Sequence, residues 1–494
     1  MVCRLHHRAA WQRRRHDSYV NGSTTTEEKM TDQNLKHNAN LTTNEQSKEA
    51  TADKALFVSE WRINAGKTLY FPIQGREGEI VIDWGDGSSD AINTGDNAYI
   101  SHTYSESGVY PIKVDGTITR WRHFFRAKDD YDNDDDKNPP PSNGHELVRI
   151  LSYGKTSFGP HAFADARKLV SLPEGESPRF FENNARGTFK GASSFNQSIN
   201  HWDTSQITDM SEMFYDAESF DQPLDKWDVS NVTDMSNMFW GARSFDQPLN
   251  DWDVSNVYYM DGIFCGTKRF NQPLNNWDVS NVTHMVKMFE DAESFDQPLN
   301  NWDVSNVTDM GNMFWGARSF NQPLNDWDVS NVTDMVAMFA DAKSFNQPLN
   351  DWDVSNVTDM VEMFEGAESF NQPLNDWDVS NVTDMNMMFR CAKSFNQPLN
   401  DWDVSNVTDM SYMFSGAKSF NQPINDWDVS NVTDMSMMFS GAESFNQPLD
   451  KWDISNKCDM KRIFSGSGLD EDNYSILLNG PYSKRWAKWL NEDE

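Results

Sequence analysis

The chain has 494 residues with 42 Lys and Arg against 76 Asp and Glu, a formal net charge of −34 and a pI near 4.5. That balance excludes nucleic acid as a partner, because phosphate binding needs clustered basic side chains that the body of the chain lacks. Cations, basic proteins and neutral glycans stay compatible with it. No apolar run approaches the ~18 residues of a spanning helix. The four cysteines, Cys3, Cys265, Cys391 and Cys458, lack metal-ligand spacing, so neither a disulfide framework nor a zinc site follows.

In chain order, residues 1–54 are polar and lack a periodic apolar face, which predicts a disordered tail. The opening "MVCRLHHRAAWQRRRH" is basic with no apolar stretch behind it, so no signal peptide is expected there. Residues 55–126 hold runs of β-formers, "TLYFPI", "EIVIDW" and "VYPIKV", between glycine-containing turns, and predict a small all-β sandwich. Within it "DWGDGS" reads as an Asx-type turn, with Ca²⁺ on Asp83 and Asp86 as a minor alternative. Residues 127–144, "AKDDYDNDDDKNPPPSNG", are expected to be a solvated linker or loop. Residues 145–194 are irregular.

From Phe195 a strict 25-residue period takes over. Its tryptophan column is Trp202, Trp227, Trp252, Trp277, Trp302, Trp327, Trp352, Trp377, Trp402, Trp427 and Trp452, eleven copies without an insertion. A constant period of this size predicts a solenoid over 195–466, each unit burying its apolar face against its neighbours. Trp227 and Val229 are two apart, as on one face of a strand. Val232, Met235, Met238 and Phe239 follow at steps of three and four, as on a helical stripe. Ser230 or Asn231 would cap that helix, and Gly241 and Ala242 would end it. The predicted fold is therefore an α/β solenoid with a short parallel strand and a short helix per coil, closed by a helical cap and tail at 467–494.

The unit F-N-Q-P-L-N-x-W-D-V-S-N-V-T-D-M-x-x-M-F-x-G-A resembles the repeat of BspA-like leucine-rich-repeat surface proteins, known also from mycoplasma lipoproteins. The resemblance spans Phe195 to about Leu478, and "GSGLDEDNYSILLNG" is similar to the cap that closes such arrays. Upstream, "VIDWGDGSSD" with "SHTYSESGVYPIKV" resembles a PKD-type domain, and "LVRILSYGKTSFGPHAFADARKLVSLPE" resembles the irregular first coils that follow it, which implies irregular N-terminal coils of the solenoid over 145–194. These likenesses imply an extracellular or cell-surface protein that binds other molecules and has no catalytic activity. The missing signal peptide leaves a cytoplasmic location open.

Strand alternation turns the residue after each tryptophan outward. This gives a carboxylate column of Asp203, Asp228, Asp253, Asp278, Asp303, Asp328, Asp353, Asp378, Asp403, Asp428 and Asp453. Unit charges at ~5 Å repel by about 0.8 kcal/mol in water. Relief must come from Ser or Asn hydrogen bonds, from raised pKa values, or from bound cations such as Ca²⁺. Eleven equivalent acids do not make the asymmetric pair that acid–base catalysis needs. The tryptophans share a face with valine and are expected in the core. The sequons at Asn231 and its equivalents are expected to be mostly unmodified.

Specificity is sought where coils differ. The position of Tyr215, Trp240, Cys265, Glu290, Trp315, Ala340, Glu365, Arg390, Ser415 and Ser440 is expected to face solvent. Tyr258 and Tyr259 replace the usual Thr-Asp. Tyr215, Trp240, Tyr258, Tyr259 and Trp315 are thus candidate ligand-binding residues for a protein or glycan on another surface. No cofactor is called for, and no P-loop, GxGxxG or HExxH motif is present.

Overall fold

The computed structural model describes residues 55–93, 100–123 and 144–490. The expected tail at 1–54 and the acidic segment up to residue 143 lie outside them.

The β-former runs make antiparallel strands because they alternate: β1 (Phe57–Ile63) buries every second side chain. With β3 (Ile73–Asp83), β4 (Ser89–Ile92), β6 (Gly108–Trp121) and β7 (Leu147–Tyr153) it forms a sheet of order β4-β3-β6-β1-β7. A second sheet pairs β2 (Thr68–Tyr70) with β5 (Ser101–Thr103). Trp61, Phe71, Trp84, Tyr104, Ile112 and Trp121 fill the core of this β domain. Its sheet then changes direction of pairing. β8 (Lys155–Phe158) runs parallel to β6, and β9 (Arg179–Phe180) runs parallel to β8. Parallel pairing continues as single bridges 25 residues apart, Asn184 to Asp209 to Asp234 and on to Asp459.

The coils contradict the expected α/β solenoid of leucine-rich-repeat type. They contain neither a helix nor an extended strand. In the segment predicted as helix, alternate N–H groups serve two directions. Met235, Asn237, Phe239 and Gly241 donate to the carbonyls of Tyr259, Asp261, Ile263 and Cys265 in the next coil, at 2.7–3.0 Å. Met238, Trp240 and Ala242 donate back three residues within their own coil, to Met235, Asn237 and Phe239. A helix would need every one of these groups for itself. It is stopped by left-handed backbone at Asn237 (φ 57°) and Gly241 (φ 68°). The equivalents of Gly241 are Gly or Asp in all coils but one, where Cys391 stands, so most of them tolerate that conformation at low cost. A ribbon of turns therefore reproduces the three-and-four spacing that a helix would show.

Inside each coil the tryptophan, two phenylalanines, methionines and valines are almost wholly buried and repeat as ladders. Trp327 and Trp352 stack at 6.4 Å, and Phe314 and Phe339 at 5.6 Å. From Trp227 to Trp452 each indole N–H donates to a carbonyl in the preceding coil, as Trp327 Nε1 does to Leu299 O at 2.9 Å. Burying one such side chain contributes about 1.5–3 kcal/mol, realised only when a neighbouring coil is present.

Both ends are covered. β9 lies against the first coil, with Phe180 6.0 Å from Trp202, and β8 pairs with β9 behind it. At the other end stand α1 (Glu471–Asn479), capped by Asp470, and α2 (Ser483–Leu490). Trp486 of α2 is buried and packs at 6.5 Å from Trp452 and 5.8 Å from Phe464.

Candidate interaction face

The inward positions are so alike from coil to coil that only the outward columns can carry recognition. Asp228 and its equivalents are exposed, and each closes an Asx turn with its own coil. Asp228 Oδ1 accepts from Ser230 N–H at 3.0 Å and from the Ser230 hydroxyl at 2.6 Å. The N–H contact recurs at Asp253, Asp278, Asp303, Asp328, Asp353, Asp378, Asp403 and Asp428 at 3.0–3.1 Å. At the last coil Asp453 instead meets the Arg485 guanidinium of the cap.

The serine hydroxyl, then its N–H, holds the Asp228, Asp328 and Asp403 carboxyls below the usual carboxylate range. Of the three ways foreseen to relieve the column, raised pKa values are therefore overturned at these members, and hydrogen bonding is what the geometry supplies. The sequon amides are engaged as well: Asn231 Nδ2 donates to Ser205 O of the preceding coil at 2.8 Å.

A second acidic column, not singled out in the sequence, comprises Asp209, Asp234, Asp309, Asp334, Asp359, Asp384, Asp409, Asp434 and Asp459. It forms the bridges between coils and is partly buried except at Asp459. Each Oδ1 accepts the N–H two residues on, as Asp234 does from Ser236 at 2.8 Å. Here burial pushes the Asp234 and Asp434 carboxyls up, against the pull of that N–H. Tyr259 and His284 interrupt the column. Asp261 compensates by accepting the Val286 N–H at 3.0 Å, the group that an acid at position 284 would have held.

The variable column is not the solvent-facing row foreseen. Cys265, Glu290, Ala340, Glu365 and Arg390 are buried, while Tyr215, Trp240 and Trp315 are half-buried. The correction has a physical cause: this position precedes the left-handed residue, and its side chain lies along the stack against the next coil. Tyr215 and Trp240 stack at 5.8 Å. Lys190 Nζ lies 4.8 Å from the Tyr215 ring centre and Lys287 Nζ 5.5 Å from that of Trp240. The two rings are thus held between two ammonium groups. Gly262 makes room for the indole, since a Cβ there would lie 2.7 Å from Trp240 Cε3.

Further along, Arg390 and Glu365 form an ion pair at 2.6 Å with both side chains buried. Burial, only partly offset by Arg390, pushes the Glu365 carboxyl up to about 7. The five candidate aromatics therefore separate. Tyr215 and Trp240 form one closed stack, Trp315 stands three coils beyond Trp240, and Tyr258 and Tyr259 are the open pair, 46% and 49% exposed.

A third column escaped the sequence reading: Glu218, Arg243, Lys268, Glu293, Arg318, Lys343, Glu368, Lys393, Lys418 and Glu443. Its glutamates pair with basic neighbours, Glu293 with Lys268 at 2.8 Å and Arg318 at 3.6 Å, and Glu368 with Lys343 at 3.2 Å and Lys393 at 2.8 Å. Aligning the copies in register would have revealed it.

In the β domain Asp83 Oδ1 accepts from Gly85 N–H at 2.9 Å. Asp86 accepts from Ser88 and contacts His102 at 2.8 Å, and His102 stacks on Trp84. These acids shape the turn. Among the described residues no group of three or more His, Cys, Asp or Glu is placed to hold a metal ion. Nor is any helix among them long and apolar enough to cross a membrane.

Stacked coils of 25 residues with buried aromatic ladders and polar outer columns define a tandem-repeat protein. The family described as "Mycoplasma protein of unknown function, DUF285" matches residues 183–272, 248–341, 297–390, 323–412 and 372–475. These overlapping stretches cover more than half of the chain, which therefore belongs to that family. No curated protein and no solved structure matches the chain.

Proposed function

We propose that this chain is a non-enzymatic recognition or adhesion protein, secreted or displayed at a cell surface, that binds a protein or glycan partner through the outer columns of its coils. The observation that carries this reading is where the copies differ. At the surface the residues aligned with Arg243 change among Glu, Arg and Lys, and Tyr258 and Tyr259 replace Thr and Asp in one coil, whereas Trp227, Val229, Val232, Met235 and Phe239 in the core scarcely vary. A fixed core with a changing outer face is what a binding array needs. The N-terminal β domain, with its likeness to PKD-type domains, serves as a spacer. The tandem family match and the resemblance to BspA-like surface proteins support placement outside the cell.

The test is a protein and glycan array probed with the whole chain, with and without Ca²⁺, beside fractionation of a producing culture. Specific binding that is lost on changing the variable face supports the reading. Absence of any ligand, or retention in the cytoplasm, overturns it. One observation favours a second reading, a rigid rod whose acids only keep it soluble: every carboxylate of the Asp228 column but the last, Asp453, is already held by its own turn. That reading predicts no ligand, and no cation requirement.

A further inference from the structure

Within 183–466 the large apolar side chains left exposed are two, Tyr258 and Tyr259, adjacent in one coil. They stand where other coils carry Thr and Asp, and the exchange has a local cost. The threonine hydroxyls elsewhere donate to the preceding coil, as Thr308 Oγ1 does to Thr283 O at 3.4 Å and Thr333 Oγ1 to Thr308 O at 3.3 Å. Tyr258 interrupts that row because its side chain has no such hydroxyl, and in the next coil the Thr283 hydroxyl lies 3.3 Å from His284 Nδ1. Tyr259 removes the acid that would accept the Asp261 N–H, and Asp261 turns its carboxylate to Val286. The coil thus gives up polar ladder contacts to place two rings that add nothing to the core.

The surroundings select what those rings can hold. Along the bridging column the Tyr259–His284 interruption is bounded by Asp234 and Asp309. The outer column supplies exposed Asp253 in the same coil, with Asp228 and Asp278 on either side. Of the basic side chains in this coil and the next, Lys268 is engaged by Glu293 at 2.8 Å, and Lys287 by Glu290 at 3.3 Å and the Trp240 ring. An aromatic pair set among carboxylates favours a guanidinium, which stacks flat on a phenol ring while its N–H groups reach acids.

We infer that Tyr258 and Tyr259 receive arginine side chains from an extended basic segment of a partner protein. This rests on the recognition reading above and narrows its partner class. The pair supplies the stacking surface, and the flanking aspartates supply charge and orientation.

The experiment uses the whole chain and a short labelled peptide of alternating Arg and Ser, read by fluorescence anisotropy at two salt concentrations. The comparison is with the double variant Tyr258→Thr, Tyr259→Asp, which restores the pair found in most other coils and so keeps the fold. That variant also adds a carboxylate. Binding weakened about tenfold despite the added charge supports the inference. Equal or tighter binding by the variant overturns it, because attraction by charge alone would then suffice. No peptide binding by the parent chain also overturns it. If that chain nevertheless captures a glycan in a manner sensitive to Tyr258, the partner class falls and the recognition reading stands.

Discussion

Two columns of the array carry charge at the same coil-to-coil pitch and solve it in opposite ways. In the Glu218–Glu443 column, acids and bases are interspersed, so each glutamate is satisfied by the coil above or below. In the Asp203–Asp453 column every residue has the same sign, and most are satisfied within their own turn, by the serine two positions on. The first is an agreement between coils; the second is a property of each coil alone. A like-charge column is therefore tolerable when its members do a local job and face water.

The broadest test removes that local job. Replacing Asp328, Asp353 and Asp378 together by Ala deletes three acceptors, about 1 kcal/mol for each lost turn cap, and is expected to cost about 2 kcal/mol in all because the repulsion between these neighbouring rungs leaves with them. The matching Asn triple keeps the acceptors and removes the repulsion, so its midpoint in urea should equal or exceed that of the parent. An Asn triple as unstable as the Ala triple would mean that the negative charge itself is required, as a bound cation would demand.

Glu365 extends the contrast to a buried acid. Its folded pKa, about 7, lies above the unfolded value. Its stabilising contribution is thus complete below the ordinary glutamate range and is lost as pH rises through about 7, by about 3 kcal/mol. The variant Glu365→Gln should lose that slope in chemical denaturation between pH 5 and 8, even though it leaves Arg390 without its partner. The exposed Asp328 has the opposite sign. Held below its unfolded value, it stabilises at neutral pH and loses that contribution only as pH falls through the acid range.

Glu293→Lys breaks the mixed column by making five cations in a row, Arg243, Lys268, the new lysine, Arg318 and Lys343. About 1 kcal/mol should be lost at low ionic strength and largely recovered in high salt. A salt-insensitive loss would show that packing rather than charge joins these coils. The smallest effect concerns Ca²⁺. Millimolar Ca²⁺ followed by chelator should leave the thermal midpoint unchanged, and a rise of several degrees would reopen the cation reading of the uniform column.

Much of the architecture was legible in the residues. The 25-residue period, the inward Trp227 and Val229 and the outward Asp228 all follow from spacing and alternation. The helix did not, because Val232, Met235, Met238 and Phe239 satisfy a helical stripe and a ribbon of turns equally well. The deciding signal was the run of Gly and Asp at the Gly241 position, together with Asn237, Gly262 and Asn312 four residues earlier in their coils. Read as left-handed backbone rather than as the end of a helix, these residues would have excluded it. The site was only partly legible. Tyr258 and Tyr259 stand out as replacements, whereas the burial of Glu365 and Arg390 and the lysine-capped Tyr215–Trp240 stack depend on contacts 25 or more residues apart.

The covered ends of the stack have a consequence for size. A bare terminal coil would offer unpaired N–H and C=O groups to another chain, and β9 at one end with α1 and α2 at the other withhold them. Between these fixed ends the coils are interchangeable, since each presents nearly the same seam to its neighbours. Gain or loss of one 25-residue unit would leave both seams intact and change the reach of the molecule by ~4.8 Å. Length in this protein is thus a quantity set in whole steps, adjustable by duplication or deletion without redesign of the fold.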